Sequence, residues 1–276
     1  MTTRARSSLI LSSVVLFSLV GCNSSAEQKY SDVEALLDPQ AGEIILPLEK
    51  YAMTPSEEKD VAHANALLQD ECLSESGREF PRAKQNWELA PTLPDRRYGL
   101  WSESDAQANG YELPESSEAA ELTAAEEALG DDWWQAYEAC RSELELLPVM
   151  GINTSVTPSP VDIGMGESFD SLVASANLRE VRQEWLECVQ NEGLTLDENS
   201  VLLVPAIPPA GEEQIRVATI DVECKQSYNS VQRLANIEAR EQSAFIDDRE
   251  SDLLEYRTQV DDVLNKAREV LATRAT

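Results

Sequence analysis

Four cysteines constrain this chain more than any other feature. Cys72 lies in a run whose apolar residues Val61, Ala64, Leu67 and Leu68 recur at helical spacing, and Gly77 follows it by five residues. Cys188 lies in a second such run, after Phe169, Leu172, Val173, Leu178, Val181 and Trp185, with Gly193 again five residues on. Each run leads into a loop and then into another helical stretch carrying a cysteine, Ala136-Tyr137-Glu138-Ala139-Cys140 in the first case and Ala218 to Cys224 in the second. Four cysteines admit three pairings. The repeated order of helix, glycine, loop and helix selects Cys72–Cys140 and Cys188–Cys224, so that each bridge clamps two helices across a loop. None of the four belongs to a Cys-x-x-Cys pair, which argues against a thioredoxin-type or zinc-knuckle site. Two structural disulfides require an oxidising compartment.

The start of the chain supplies a route to such a compartment. Arg4 and Arg6 precede the apolar run Leu9–Val20, which is short for a membrane span, and Leu19-Val20-Gly21-Cys22 then has the form of a bacterial lipobox. The expectation is a lipoprotein signal peptide over residues 1–21, diacylglycerol on the Cys22 sulfur and cleavage before that residue. The mature chain is then fastened to the extracytoplasmic face of the cell membrane. Residues 22–43, polar at their start, read as a tether with a helical turn around Asp32–Leu37.

The remainder reads as mainly α, in two disulfide-clamped helical units. Unit 1 spans 44–150 and unit 2 spans 168–276. The stretch between them, 151–167, carries Pro158, Pro160, Gly164 and Gly166 and reads as a linker. In unit 1, Ile44-Ile45-Leu46-Pro47-Leu48 is a short extended piece, and Thr54-Pro55-x-Glu57 is a helix start with a capping box. Residues 78–114 have poor periodicity, four prolines and the aromatics Phe80, Trp87, Tyr98, Trp101 and Tyr111, and they read as a long aromatic loop with a helical turn near 102–108. Asp131-Asp132 caps a further helix. In unit 2, one helix is expected from about Ser168 to Gly193. From Glu212 to Thr276 no glycine or proline interrupts the chain, which predicts a long C-terminal helix or two helices with a break. Leu253, Tyr256, Val260, Val263, Ala267 and Val270 form a heptad seam, suited to docking on the body or to a partner helix, and the seam weakens upstream at Gln242 and Arg249.

Trp185, Cys188, Gly193 and Cys224 resemble a pattern of uncharacterised secreted and lipid-anchored proteins of actinobacteria. In those, an aromatic-x-x-Cys-x-x-x-x-Gly helix end precedes a later cysteine-bearing helix. Leu46-Pro47-Leu48-Glu49-Lys50-Tyr51 and Tyr98-Gly99-Leu100-Trp101 resemble further segments of the same family. The resemblance implies a paired-cysteine helical fold at the cell envelope and no settled activity. The C-terminal helix lies outside it.

Chemistry is sparsely signalled. The formal net charge of −29 drops further when the two arginines of the signal peptide leave, a balance that disfavours nucleic acid and anionic lipid headgroups as partners. The chain has one histidine, His63, and no G-x-S-x-G nucleophile elbow, EF-hand loop or phosphate-binding glycine loop. Asp247-Asp248-Glu250 reads as a solvated helix face. No catalytic residue, metal site or cofactor is assigned. Trp87, Tyr98, Trp101 and Tyr111 are the candidates for a ligand surface, since such rings stack on the sugars of cell-wall glycan; otherwise they fix the loop to its helices. The expected role is that of a membrane-anchored, non-enzymatic binding or scaffolding protein of the envelope, with an envelope protein or cell-wall glycan as partner. The alternative is an enzyme that hydrolyses cell-wall glycan or peptide.

Overall fold

The computed structural model describes residues 29–39, 41–90, 92–114, 116–197 and 200–274. Cys22, the lipobox and the first part of the tether lie outside the described residues. The fold is mainly helical, with 63% helix and eight α-helices among the described residues. A short hairpin, β1 (Leu36–Asp38) and β2 (Glu43–Ile45), opens it, with Leu36 opposite Ile45 and Asp38 opposite Glu43. Then follow α1 (Pro55–Glu75), α2 (Glu103–Asn109), α3 (Ser117–Glu127), α4 (Asp131–Glu143), α5 (Pro160–Ala174), α6 (Ala176–Asn191), α7 (Glu212–Ser227) and α8 (Ser230–Arg274).

Local chemistry explains the helix ends. Thr54 Oγ1 accepts from the Glu57 N–H at 3.2 Å, and Glu57 Oε2 accepts from the Thr54 N–H at 2.8 Å, a reciprocal capping box with Pro55 at the first helical position. At the other end of α1 the chain turns at Gly77, φ +73°, so that the Arg78 N–H reaches the Leu73 carbonyl. Helix α6 ends the same way, with the Leu194 N–H on the Val189 carbonyl after Gly193. Both are Schellman turns, and each fixes a cysteine at the same height on its helix. Cys72–Cys140 joins α1 to α4 and Cys188–Cys224 joins α6 to α7, with Cα separations of 5.9 and 5.7 Å. The paired-helix reading of the four cysteines holds in full.

The two units are not separate bodies. Helix α8 packs its first half on α5, α6 and α7 and its second half on α1. The two halves meet at Arg249, where φ −128° and ψ 21° break the helical geometry. The heptad seam docks on the body along its length: Val260, Val263, Leu264 and Ala267 are buried against Met53, Val61 and Ala64, and Val270 and Leu271 pack beside them. Tyr98 and Trp101 from the first half of the chain share one core with Leu172, Trp185, Val217 and Leu234 from the second.

Several expected boundaries shift, some through packing at long range and some through local caps. Gly164 and Gly166 sit inside α5 rather than in a linker, and Ser159 caps that helix through the Asp162 N–H. Gly164 is required there, because a Cβ would lie 2.7 Å from Leu48 Cδ1 and from the Phe245 ring. The single helix expected from Ser168 is two, α5 and α6, broken at Ser175, whose side chain caps α6 through the Leu178 N–H. The helical turn expected at 32–37 is absent: residues 33–35 carry no helix and lead into strand β1, and the tether ends earlier than residue 43. Val33, Ala35 and Leu37 pack into the main core, and the Ala35 backbone is held by Asn236 and Gln232 of α8. Asp131 and Asp132 fall in the first turn of α4 and do not cap it; Gly130 occupies the cap position.

Candidate functional site

The long stretch between α1 and α3, interrupted by the short α2, governs where a ligand can reach. Its aromatics do not form one surface. Tyr98 is fully buried, with its hydroxyl donating to Glu238 Oε2 at 2.6 Å. Trp101 is buried, its indole N–H on the Asp95 carbonyl at 2.7 Å. Tyr111 is half-buried and donates to Asp221 Oδ2 at 2.8 Å. A large ring with one polar handle is best placed where the body is dry and the handle has an acceptor. These three rings therefore staple the loop to the helices and are unavailable to a sugar. Only Trp87 faces open space. It stacks on His63 of α1, with ring centroids 5.5 Å apart.

That pair forms one wall of a cleft of about 1370 Å³. Three segments build most of it, with Glu49, Lys50, Met53 and Ile152 completing the lining. The hairpin contributes Glu34, Leu36 and the consecutive residues Glu43 to Pro47; the start of α1 contributes Pro55, Glu58, Lys59, Asp60 and His63; the loop contributes Gln85 to Glu88, Thr92, Leu93, Asp95 and Arg97. The capping box of α1 faces the cleft at Thr54, so the helix start is fixed where the wall needs it.

Arg97 is the fixed charge of the interior. Its guanidinium holds Glu49 at 2.9 Å and Asp95 at 2.6 Å. Burial pushes the Glu49 carboxyl up to about 7, against the pull of Arg97, while Asp95 beside the same guanidinium adds to the rise. Burial also raises Glu58 above the ordinary carboxylate range. It lowers His63, with Asp60 opposing. Lys59 is occupied by the Ala90 carbonyl, and Lys50 lies over the Tyr51 ring. The remaining acids of the lining, Glu34, Glu43, Glu58, Asp60 and Glu88, stand in no ion pair among the described residues. The cleft is thus negative overall, with apolar patches at Leu36, Ile45 and Leu93, which are 63%, 41% and 60% exposed.

No family model, curated protein or solved structure matches this chain. Its site therefore stands on its own geometry.

Of the residues singled out in the sequence, the structure brings Trp87 and His63 together in the cleft and withdraws Tyr98, Trp101 and Tyr111 into the core. The residues that sequence reasoning missed are Glu49, Glu58, Asp95, Arg97 and the hairpin acids. One signal pointed to them: Arg96-Arg97 is a doubled arginine in a chain with 51 acids and 22 bases. Arg96 also serves the loop, donating to the Tyr111 and Glu112 carbonyls and to Asp105.

Proposed function

We propose that this chain is an extracytoplasmic binding protein, fastened to the outer face of the cell membrane through a diacylglyceryl group on Cys22, and that its ligand enters the cleft between the hairpin, α1 and the aromatic loop. The cleft carries this reading. Its volume, about 1370 Å³, exceeds the roughly 300–1,000 Å³ of ordinary small-molecule pockets, so it suits a section of a polymer. Its lining combines apolar patches with fixed charge, as a recognition site needs. The lipobox and the two disulfides support export. Trp185, Cys188, Gly193 and Cys224 support assignment to the actinobacterial paired-cysteine proteins.

A photo-crosslinking residue placed at Leu36 or Leu93, on the cleft rim, and at Leu254, exposed on α8 and outside the lining, tests the site in living cells. Adducts from the rim positions alone support the cleft. Equal adducts from Leu254, or none from the rim, overturn it.

A second reading, hydrolysis of cell-wall glycan or peptide, is favoured by one observation: Glu49 titrates near 7, where a carboxyl serves as general acid or base. The Arg97 clamp on that carboxyl favours binding over proton transfer. Clearing of a cell-wall suspension by the wild-type chain and not by Glu49→Gln is the result that establishes the enzyme.

A further inference from the structure

The cleft does more than present charge: one side of it is the outer edge of a strand. All three residues of β2, Glu43, Ile44 and Ile45, line the cleft, with Leu46 and Pro47 of the turn that follows, whereas β1 and the two residues before it contribute only the alternating Glu34 and Leu36. Successive residues of a strand point to opposite faces, so a cavity touched by every residue in turn lies along the edge, and one touched by alternate residues lies against a face. The other side of the hairpin is held to α8 at Ala35, the residue before β1, which gives its N–H to Asn236 and receives Gln232 at its carbonyl. Beside β2 the aromatic loop makes one strand-like bond, from the Asp95 N–H to the Gly42 carbonyl at 2.8 Å. Among the described residues no further main-chain bond reaches Glu43–Ile45 from outside the hairpin. A short hairpin with an unpaired edge is a template for another strand.

We propose that the cleft takes an extended segment of polypeptide, laid along β2 as a third strand, in which basic and apolar residues alternate. The juxtaposition that carries this is the strand edge, the unpaired acids around it and the apolar patches between them. A strand added here sends alternate side chains to the two sides of the hairpin plane. Lysine or arginine at one parity meets Glu43, Glu58 and Glu88. An apolar residue at the other meets Ile44, which lines the cleft from the opposite face of β2. Main-chain bonds supply affinity without regard to sequence, and the acids supply the preference for a cationic partner. The proposal rests on the cleft being the ligand site.

The test uses the exported chain with Cys22→Ala, to keep it in solution, and fluorescein-labelled octapeptides read by anisotropy. The first probe alternates lysine and valine, the second alternates glutamate and valine, and the third is the first with alternate amide nitrogens methylated. The lysine–valine peptide is expected to bind at least about tenfold more tightly than either of the others, since the second lacks the charge and the third the main-chain donors. The double substitution Glu43→Lys with Glu88→Lys, both at exposed or half-exposed positions, is expected to weaken that peptide by at least about tenfold while leaving the circular dichroism unchanged. Equal binding of the methylated peptide, or indifference to the charge reversal, overturns strand addition. No peptide binding together with quenching of Trp87 by a cell-wall glycan fragment overturns it too, and leaves the cleft as the site of a glycan.

Discussion

The Lys225 ammonium lies 2.8 Å from the Asp221 carboxylate, with both side chains removed from solvent. They stand one helical turn apart on α7, and Asp221 is the hub of a buried network. It also accepts from the Trp185 indole and the Tyr111 hydroxyl, each at 2.8 Å, while Lys225 donates to the Leu100 carbonyl. Gly99, at φ +89°, leaves the space: a Cβ there would lie 2.9 Å from the lysine nitrogen. Removing one charge of such a pair leaves the other buried alone. Asp221→Asn is expected to cost about 3–5 kcal/mol. The double variant Asp221→Asn with Lys225→Met is expected to lose less than the two single losses combined, because the orphaned charge is gone. Urea unfolding midpoints of the four chains check this; simple additivity counts against the network.

Two glycines in α5 give opposite expectations. Gly164 is buried and its absent Cβ would meet Leu48 and Phe245 at 2.7 Å, so Gly164→Ala overpacks the junction between α5 and α8 and is expected to cost about 1–3 kcal/mol. Gly166 is exposed and has nothing within 4 Å of its missing Cβ, so Gly166→Ala gains ordinary helix propensity, about 0.5–1 kcal/mol of stability. Thermal unfolding of both variants decides the matter, and a shared sign would count against this placement of α5.

These two residues also show why some of the fold was legible and some was not. Signals that act within one turn were readable. Thr54 with Glu57, Gly77 and Gly193 each mark an end by bonds to their own neighbours. The cysteine pairing was readable because the same local order occurs twice. Gly164 looked like linker glycine because its reason is Leu48 and Phe245, both far away in sequence. The break between α7 and α8 falls at Asn229, φ +50°, with neither glycine nor proline to announce it. Ala35 looked like tether because its partners are on α8. The cleft was invisible for the same reason. Glu49, Glu58 and Arg97 come from separate segments, and in the sequence only His63 and Trp87 stand out, each by itself.

Glu49 predicts a pH dependence of stability. Its carboxyl, ordinarily at 4.5, is raised to about 7 in the folded chain, so the folded state holds that proton more tightly than the unfolded state does. Its contribution is therefore fully present below about pH 4.5 and is lost as pH rises through about 7, on the order of 3 kcal/mol across the window. The groups facing it are Arg97, which opposes the rise, and Asp95, which adds to it. Glu58, raised by burial, slopes the same way and is unchanged by a substitution at Glu49. Glu49→Gln is expected to flatten the fall in stability between pH 5 and 7.5 and to exceed the wild type at pH 8. Parallel curves for the two chains would show that Arg97 keeps this carboxylate ionised throughout.

The last expectation concerns the anchor. Two acyl chains on one sulfur hold a protein to a bilayer in a way that one chain does not. Cys22 to Lys29 is a short stretch of chain, at most about 25 Å when fully extended. At Lys29 and Tyr30 the chain meets Asp247 of α8, where both side chains bond to the same carboxylate oxygen. A lipid on Cys22 thus keeps the first half of α8 and the hairpin packed on it close to the membrane, and the ligand has to be reached there. Cys22→Ala is expected to move the protein from the membrane fraction to the soluble one with both disulfides intact. Asp247→Ala is expected to leave it in the membrane fraction, because it loosens only the contact beyond the anchor. Retention of the Cys22→Ala chain in the membrane fraction would mean that something other than the acyl group holds it there.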